Sequence, residues 1–159
     1  MKNKLKIISF KIISKFKIQN FSIILILVAF LLLLFFNFSY RDTEKSKTIS
    51  INGQKFQVEI SKTKKEREAG LSGRDDLCRN CGMVFVFPQK GRYGFWMKEM
   101  KFDLDIVWIR DNEIVYIAKN IPQDLKEIII PEVKTNKVLE LNAGTVDELN
   151  IKIGDVLSF

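Results

Sequence analysis

The feature that most constrains this chain is an uncharged, apolar run of 18 residues from Phe21 to Phe38. Only Ser22 and Asn37 in it are polar. A helix of this length would reach about 27 Å, close to the hydrocarbon thickness of roughly 30 Å. Core helices of soluble proteins rarely stay apolar on every face over such a length. Residues 21–38 are therefore predicted to form one transmembrane helix.

The charges on either side of this run predict its orientation. Residues 1–20 carry six lysines and no acidic residue, whereas residues 39–47 mix basic and acidic side chains. Because the more positive flank stays inside, residues 1–20 are expected to form a cytoplasmic tail. The run is longer than the apolar core of a signal peptide, which favours an uncleaved anchor. We expect a single-pass cell-membrane protein in contact with the lipid bilayer, with a linker at 39–47 and an extracytoplasmic domain at 48–159.

Two compositional facts exclude whole classes of function. The chain has a net charge of +7, but without the six N-terminal lysines 20 basic residues face 19 acidic ones. A nucleic-acid-binding domain needs a basic face of its own, so no nucleic-acid partner is expected. The chain also has no histidine, which excludes the Ser-His-Asp triad, the Cys-His pair and histidine-ligated metals. No cofactor and no metal are predicted.

The remaining sequence has the pattern of a small β domain. Alternating apolar residues on both sides of Asn52-Gly53 predict a hairpin, because both central positions of its tight turn need positive φ. Thr63 and Glu66 form a capping box, and Gly70 is placed to end the helix. A second capping box is predicted at 145–148. Further strands are predicted at 83–87 (stopped by Pro88), 95–97, 102–109, 114–118, 138–141 and 151–159. The predicted fold is mainly β, a small sandwich or partly closed barrel with two short helices, preceded by one transmembrane helix.

Five short stretches resemble a known family in order and spacing. They are Gly82–Phe87 (GMVFVF), Phe95–Lys98 (FWMK), Leu104–Ile106 (LDI), Leu139–Gly144 (LELNAG) and Ile151–Asp155 (IKIGD). Together they resemble the family called domain of unknown function 192. The resemblance implies a compact, mainly β sandwich or barrel, often exported, with no established activity. This chain departs from the family where Glu99-Met100 replaces a common Asn-Thr pair and where Asp103 replaces a usual proline.

Cys78 and Cys81 are the only cysteines, and they are spaced as in redox and metal motifs. A tetrahedral metal site needs four ligands, and the chain has no second cysteine pair. A thioredoxin-like motif would lie where a strand enters a helix, whereas this pair precedes a strand. Outside the cytoplasm, two neighbouring cysteines most often form a disulfide, which is our prediction. Free thiols, a redox pair and a shared metal site remain alternatives.

Four residues are predicted as a ligand-binding site, namely Trp96, Lys98, Asp105 and Glu140. Asp105 is expected where a buried strand emerges into polar surroundings, close enough for Lys98 to pair with it beside Trp96. Such a pair could bind a ligand or exchange protons, or it could be an ion pair that only clamps a loop. Glu140 lies at the end of an apolar strand, shortly before Ala143-Gly144.

Three functions are compatible with these residues. The first is a membrane-anchored, extracytoplasmic module that binds a small ligand or an envelope protein. An alternative is a small histidine-free hydrolase or transferase that uses Lys98 and Asp105 as base and acid. A second alternative is a thiol redox protein that uses Cys78 and Cys81. The sequence does not decide whether the protein is an enzyme.

Overall fold

The computed structural model describes residues 23–36 and 46–159, and the chain divides into two compact units, Met1–Thr43 and Glu44–Phe159. In the first unit, residues 23–36 form a helix, α1, whose side chains are all exposed. Within the described ranges, no helix is both long enough and apolar enough to cross a bilayer. The predicted tail at 1–20, both ends of the predicted span and most of the linker lie outside those ranges. The transmembrane helix stays a prediction.

The second unit is built on one sheet of seven strands in the order β5-β4-β6-β3-β2-β1-β7. The β2–β3 pair is parallel and the other pairs are antiparallel. The sheet curls into a half barrel. The mainly β fold with few short helices is therefore confirmed, as one sheet rather than two packed sheets. The strands are β1 (Ser46–Ile51), β2 (Gln54–Ser61), β3 (Cys81–Gly91), β4 (Leu104–Arg110), β5 (Glu113–Ile121), β6 (Thr135–Asn142) and β7 (Leu157–Ser158), and the helices are α2 (Lys64–Ala69) and α3 (Thr145–Glu148).

The last residues of the chain contact both edges of this sheet. Leu157 pairs with Ile51 of β1, and Val156 forms a bridge with Glu113 at the start of β5. Because β5 and β7 are the outer strands, this segment draws the two edges towards each other at one end. The first strand begins at Ser46, slightly before the predicted domain start at residue 48.

Both faces of the sheet are buried, each under its own apolar cluster. On β4, Val107 and Ile109 belong to one cluster, while Ile106 and Trp108 belong to the other. A near-continuous apolar run is typical of a strand that is covered on both sides, and β4 has this pattern. The second cluster, which also holds Phe95, underlies the candidate site.

The local signals at the start of the domain are confirmed. Asn52 and Gly53 have φ of 51° and 80°, so both central turn residues are left-handed as the hairpin requires. Thr63 and Glu66 form the reciprocal capping box of α2. The helix ends at Gly70, whose φ of 50° is free of the penalty that a side chain would bring.

Four local predictions need correction. The third strand continues past Pro88 to Gly91, because Pro88 falls in a gap of the β3–β6 pairing where no ladder hydrogen bond needs its missing N–H. At 95–97 there is only an isolated bridge from Phe95 to Ile129, and at 151–159 only Leu157–Ser158 is a strand. The second capping box is absent, since the N-cap residue of α3 is Gly144, which makes no side-chain cap hydrogen bond.

Candidate functional site

Asp105 is not part of a pocket with Lys98, so the predicted pair is corrected. Its fully buried carboxylate accepts two backbone hydrogen bonds, from the Asn120 N–H and the Val146 N–H, each 2.8 Å long. Lys98 instead has 60% of its side chain exposed, with its Nζ 3.8 Å from Glu99. The sequence predicts Asp105 where the strand emerges into polar surroundings. In the fold, a backbone N–H group of β5 and one of α3 each donate to one of its carboxylate oxygens.

The local reason for this arrangement lies at the start of α3. The first N–H groups of a helix have no partner inside the helix and are commonly satisfied by a side chain at the cap position. Gly144 occupies that position and has no side chain to offer. Asp105 supplies the missing acceptor to Val146 from β4. The residue is therefore a structural link among β4, β5 and α3.

Trp96 and Lys98 form an exposed ridge on the surface of the domain. The two flanking side chains, Phe95 and Met97, are buried in the second core cluster, so the alternate residues project outward. Trp96 is 56% exposed, and the Lys98 ammonium lies 5.5 Å from its ring centroid, a cation–π distance. We call these two residues the Trp96–Lys98 ridge.

The backbone of this ridge is held at both ends. Phe95 and Ile129 exchange two backbone hydrogen bonds of 2.9 and 2.8 Å, and the Lys98 carbonyl accepts from the Ser72 hydroxyl at 2.9 Å. Next to the ridge, Glu99 has φ of 57°, a left-handed conformation that asparagine tolerates better than glutamate. This gives a physical reason for the asparagine that the resembled family commonly has there.

A concave surface lies on each side of the ridge. The first, which we call the polar cleft, has a volume of about 770 Å³ and lies between the ridge and residues 122–126. Its charged lining is mixed in sign, with Glu99, Asp103 and Asp124 beside Lys98 and Lys126.

The second concave surface, which we call the aromatic cavity, has a volume of about 500 Å³ and lies between the ridge and α2. Its walls include Phe85, Phe87, Tyr93 and Phe95. The sequence analysis missed these residues. The stretch 83–87 was read only as a strand, and nothing in the alternation indicated that Phe87 and Tyr93 would stack across the Pro88 irregularity.

Glu140 lines neither the polar cleft nor the aromatic cavity. Its side chain is only 6% exposed, and Oε2 has no hydrogen-bond partner among the residues that the structure describes. Burial raises the pKa of Glu140 to about 8, although the positive charge of Arg74 opposes this rise. Arg74 itself is held by Glu59 through a two-pronged ion pair. Glu140 is thus a buried acid that the structure does not bring to the ridge.

The cysteines lie at disulfide-bonding distance, with their Cα atoms 5.1 Å apart. Cys81 begins β3, and the Asn142 side-chain amide donates to the carbonyls of Leu77 and Cys78 at 3.0 Å each. The pair therefore closes a turn that β6 also holds. Within residues 23–36 and 46–159, no group of three or more acidic or cysteine side chains is arranged to hold a metal.

Comparison with known proteins gives a family and a fold. The sequence model of domain of unknown function 192, described as an uncharacterised ACR, matches residues 47–159 and confirms the predicted resemblance. A search of curated proteins finds no match.

Two solved structures are similar to this chain. A Sinorhizobium meliloti protein, described as a candidate transcription regulator, is 30% identical with a TM-score of 0.69, and the match covers 71% of this chain and 92% of that one. A Novosphingobium aromaticivorans protein of unknown function is 29% identical with a TM-score of 0.68, over 72% and 85% of the two chains. The matched region makes up most of both solved chains, so these two proteins fold with little beyond it.

Proposed function

Because this chain belongs to the domain of unknown function 192 family, which brings no established activity with it, we propose its function from the site itself. The domain is a binding module whose ligand or partner contacts the Trp96–Lys98 ridge. The observation that carries this proposal is a tryptophan that is 56% exposed, on a backbone anchored by buried neighbours and flanked by two concave surfaces.

The energetics of an exposed tryptophan support binding. Covering the free half of its ring removes about 100 Å² of mostly apolar surface from water, which contributes roughly 2–3 kcal/mol. Tryptophan is also among the residues that most often dominate binding interfaces. Because the bridge to Ile129 and the hydrogen bond from Ser72 already fix the backbone of the ridge, little backbone conformational entropy is lost when the ridge is covered.

The same geometry gives little support to acid–base catalysis. The Asp105 oxygens both accept backbone hydrogen bonds, so Lys98 has no buried acid to exchange protons with. The ion-pair partner of Lys98 is Glu99, and both side chains are more than half exposed. A proton-transfer pair in water lacks the desolvation that usually tunes such groups.

Fragment screening by NMR tests this proposal. The domain Glu44–Phe159 would be labelled with ¹⁵N and exposed to a mixed library of small molecules. We expect the largest shift changes at the Trp96 indole N–H and at amides lining the two concave surfaces. The variant Trp96→Ala should lose these responses. Phe159→Ala is a matched control, since Phe159 is 57% exposed with the Lys137 ammonium 5.8 Å from its ring centroid. Hits that cluster away from Trp96 would contradict the proposal.

We further propose that this module is tethered to a cell membrane and faces away from the cytoplasm. The support is the 18-residue uncharged run at Phe21–Phe38 and the six lysines before it. The domain, with near-balanced charge, lacks the basic excess of a nucleic-acid binder, so we do not carry over the role named for the Sinorhizobium relative.

A reporter fusion tests the topology. Alkaline phosphatase fused after Phe159 should be active, because it needs an oxidising compartment, and green fluorescent protein at the same position should be dark. The opposite pattern would place the domain in the cytoplasm and overturn this part of the proposal.

A further inference from the structure

We propose that the aromatic cavity binds a soluble amphiphile whose apolar body enters the cavity and whose anionic group lies beside Lys64, Arg67 and Lys98. This inference rests on the proposed function, because Trp96 and Lys98 line the cavity. It adds the chemical class of the ligand and the side of the ridge that receives it.

One part of the cavity wall is aromatic, and the polar atoms of Tyr93 there already have partners. The rings of Phe87 and Tyr93 stack with centroids 3.5 Å apart and an interplanar angle of 11°. The Tyr93 hydroxyl donates to the Gln89 carbonyl at 2.7 Å, and its own carbonyl accepts from the Trp108 indole N–H at 2.8 Å. Beneath them, Phe85 and Phe95 meet edge to face at 4.9 Å. The apolar body of a ligand therefore meets ring surfaces in this part of the cavity, while the charged side chains line the rest of it.

The charged residues around the cavity are mostly positive. Lys64, Arg67 and Lys98 line it together with one acid, Glu68. Glu68 lies 3.7 Å from Lys64, but both side chains are well exposed, so this i,i+4 pair is weak. The excess of positive charge attracts an anion to this side of the ridge.

Arg67 fixes the position of that positive charge. Its guanidinium donates to the Val86 carbonyl at 3.0 Å and also to the Lys62 carbonyl. It lies 4.9 Å from the centroid of the Phe87 ring, at the wall of the cavity. The charge is therefore held next to the apolar surface, which is the arrangement that a molecule with an apolar body and an anionic end requires.

The volume of the aromatic cavity and its contrast in charge with the polar cleft further restrict the class of ligand. A volume of about 500 Å³ lies within the range of roughly 300–1,000 Å³ that is usual for small-molecule sites. The polar cleft has three acids and two lysines, so an anion gains little from entering it. The aromatic cavity has room for a single small molecule, so we assign it a free amphiphile as its ligand rather than a bilayer surface.

Titration with three molecules of equal chain length tests this inference. Octanoate, octanamide and octylammonium would be added to the labelled domain Glu44–Phe159, and the shifts at Phe87, Tyr93 and Trp96 would be followed. We expect octanoate to bind most tightly and octylammonium most weakly. The double variant Lys64→Gln/Lys98→Gln should weaken octanoate about fivefold, the scale of exposed ion pairs, and leave octanamide almost unchanged. Lys126→Gln, which alters only the polar cleft, is the matched control.

The outcomes separate this inference from the proposed function. Equal affinity for octanoate and octanamide, or an equal effect of Lys126→Gln, would overturn the anionic assignment. If other fragments still shift the Trp96 indole, the proposed function survives that result. Sedimentation with phosphatidylglycerol vesicles without octanoate binding would overturn the assignment to a free molecule. If no ligand of any class perturbs Trp96, both proposals fail.

Discussion

Asp105 and the Trp96–Lys98 ridge are close in sequence and opposite in character. Asp105 is fully buried, and both carboxylate oxygens accept backbone N–H groups from other elements. Trp96 and Lys98 are more than half exposed, and the fold holds their backbone rather than their side chains. The comparison teaches that a carboxylate at a strand end can belong entirely to the scaffold. The better mark of a site is an exposed side chain on an anchored backbone.

The largest expected effect comes from Asp105. Asp105→Ala leaves two N–H groups without acceptors, one of them buried, and should lower the free energy of unfolding by about 2–5 kcal/mol. Lys98→Met should change it by less than about 0.5 kcal/mol, because Lys98 is exposed. Urea denaturation measures both. In the double variant the two effects should add, since the residues share no contact. A clear coupling free energy between the two substitutions would indicate an Asp105–Lys98 pair, which the structure does not show.

Glu140 extends the comparison to a second buried acid and to pH. Its folded pKa is about 8, whereas the unfolded chain releases the proton near the ordinary value of 4.5. Between these values the unfolded state binds fewer protons, so stability is complete below 4.5 and falls as pH rises, by up to about 1.4 kcal/mol per pH unit, until about pH 8. Glu140→Gln should remove this slope and be the more stable protein at pH 8.

The measurement for Glu140 is a series of urea midpoints from pH 5 to pH 9 (roughly the window that this linkage covers). The urea midpoint of Glu140→Gln should increasingly exceed that of the parent as pH rises, and the two midpoints should be similar near pH 5. Parallel profiles would show that Glu140 keeps an ordinary pKa in the folded protein. The burial of Glu140 would then not make the stability of the domain depend on pH.

The cysteine pair tests the scaffold at an exposed turn. For a loop this short, the chain-entropy model gives a disulfide contribution of about 2 kcal/mol. Cys78→Ser/Cys81→Ser, or reduction of the parent, should lower the unfolding midpoint accordingly while the Asn142 contacts keep the turn in place. Mass spectrometry after alkylation without reduction should show no adduct. Identical midpoints for oxidised and reduced parent would contradict this account.

The smallest expected effect is on the ridge side. Glu99 adopts a left-handed φ of 57°, which costs a non-glycine residue on the order of 1 kcal/mol and asparagine less. Glu99→Asn should therefore stabilise the domain by roughly 0.5 kcal/mol. Glu99→Gln is the control, because it removes the charge but keeps the long side chain. If Glu99→Gln stabilises equally, the effect comes from charge rather than from the backbone.

The sequence predicted what is encoded locally. Asn52-Gly53 must turn, Thr63 and Glu66 must cap a helix, and the alternation around them needs no tertiary information. Trp96 and Lys98 were predicted as site residues through a pair of Lys98 with Asp105, which the structure does not show. The partners of Asp105 were not predictable, because the donors come from β5 and α3, and only the folded chain brings them to β4.

The aromatic cavity could not be predicted from the sequence for a similar reason. Phe87 lies within the pairing gap of β3 and Tyr93 lies beyond the end of that strand, so strand periodicity does not predict which way either side chain faces. Their stacking, and the approach of Arg67 from α2, depend on packing between elements. The sequence predicts the helix and the strand separately, but it does not predict the space between the two elements.

Quenching of tryptophan fluorescence tests the central claim, that the ridge is the contact site. The protein has two tryptophans, of which Trp108 is fully buried and Trp96 is 56% exposed, so acrylamide reports mainly on Trp96. Octanoate, kept below micelle formation, should lower the quenching constant of the domain Glu44–Phe159. Trp96→Ala, which keeps only Trp108, should show weak quenching that octanoate does not alter. An unchanged quenching constant with octanoate would overturn the assigned ligand class, and an unchanged constant with every fragment of the screened library as well would contradict the claim that the ridge is the contact site.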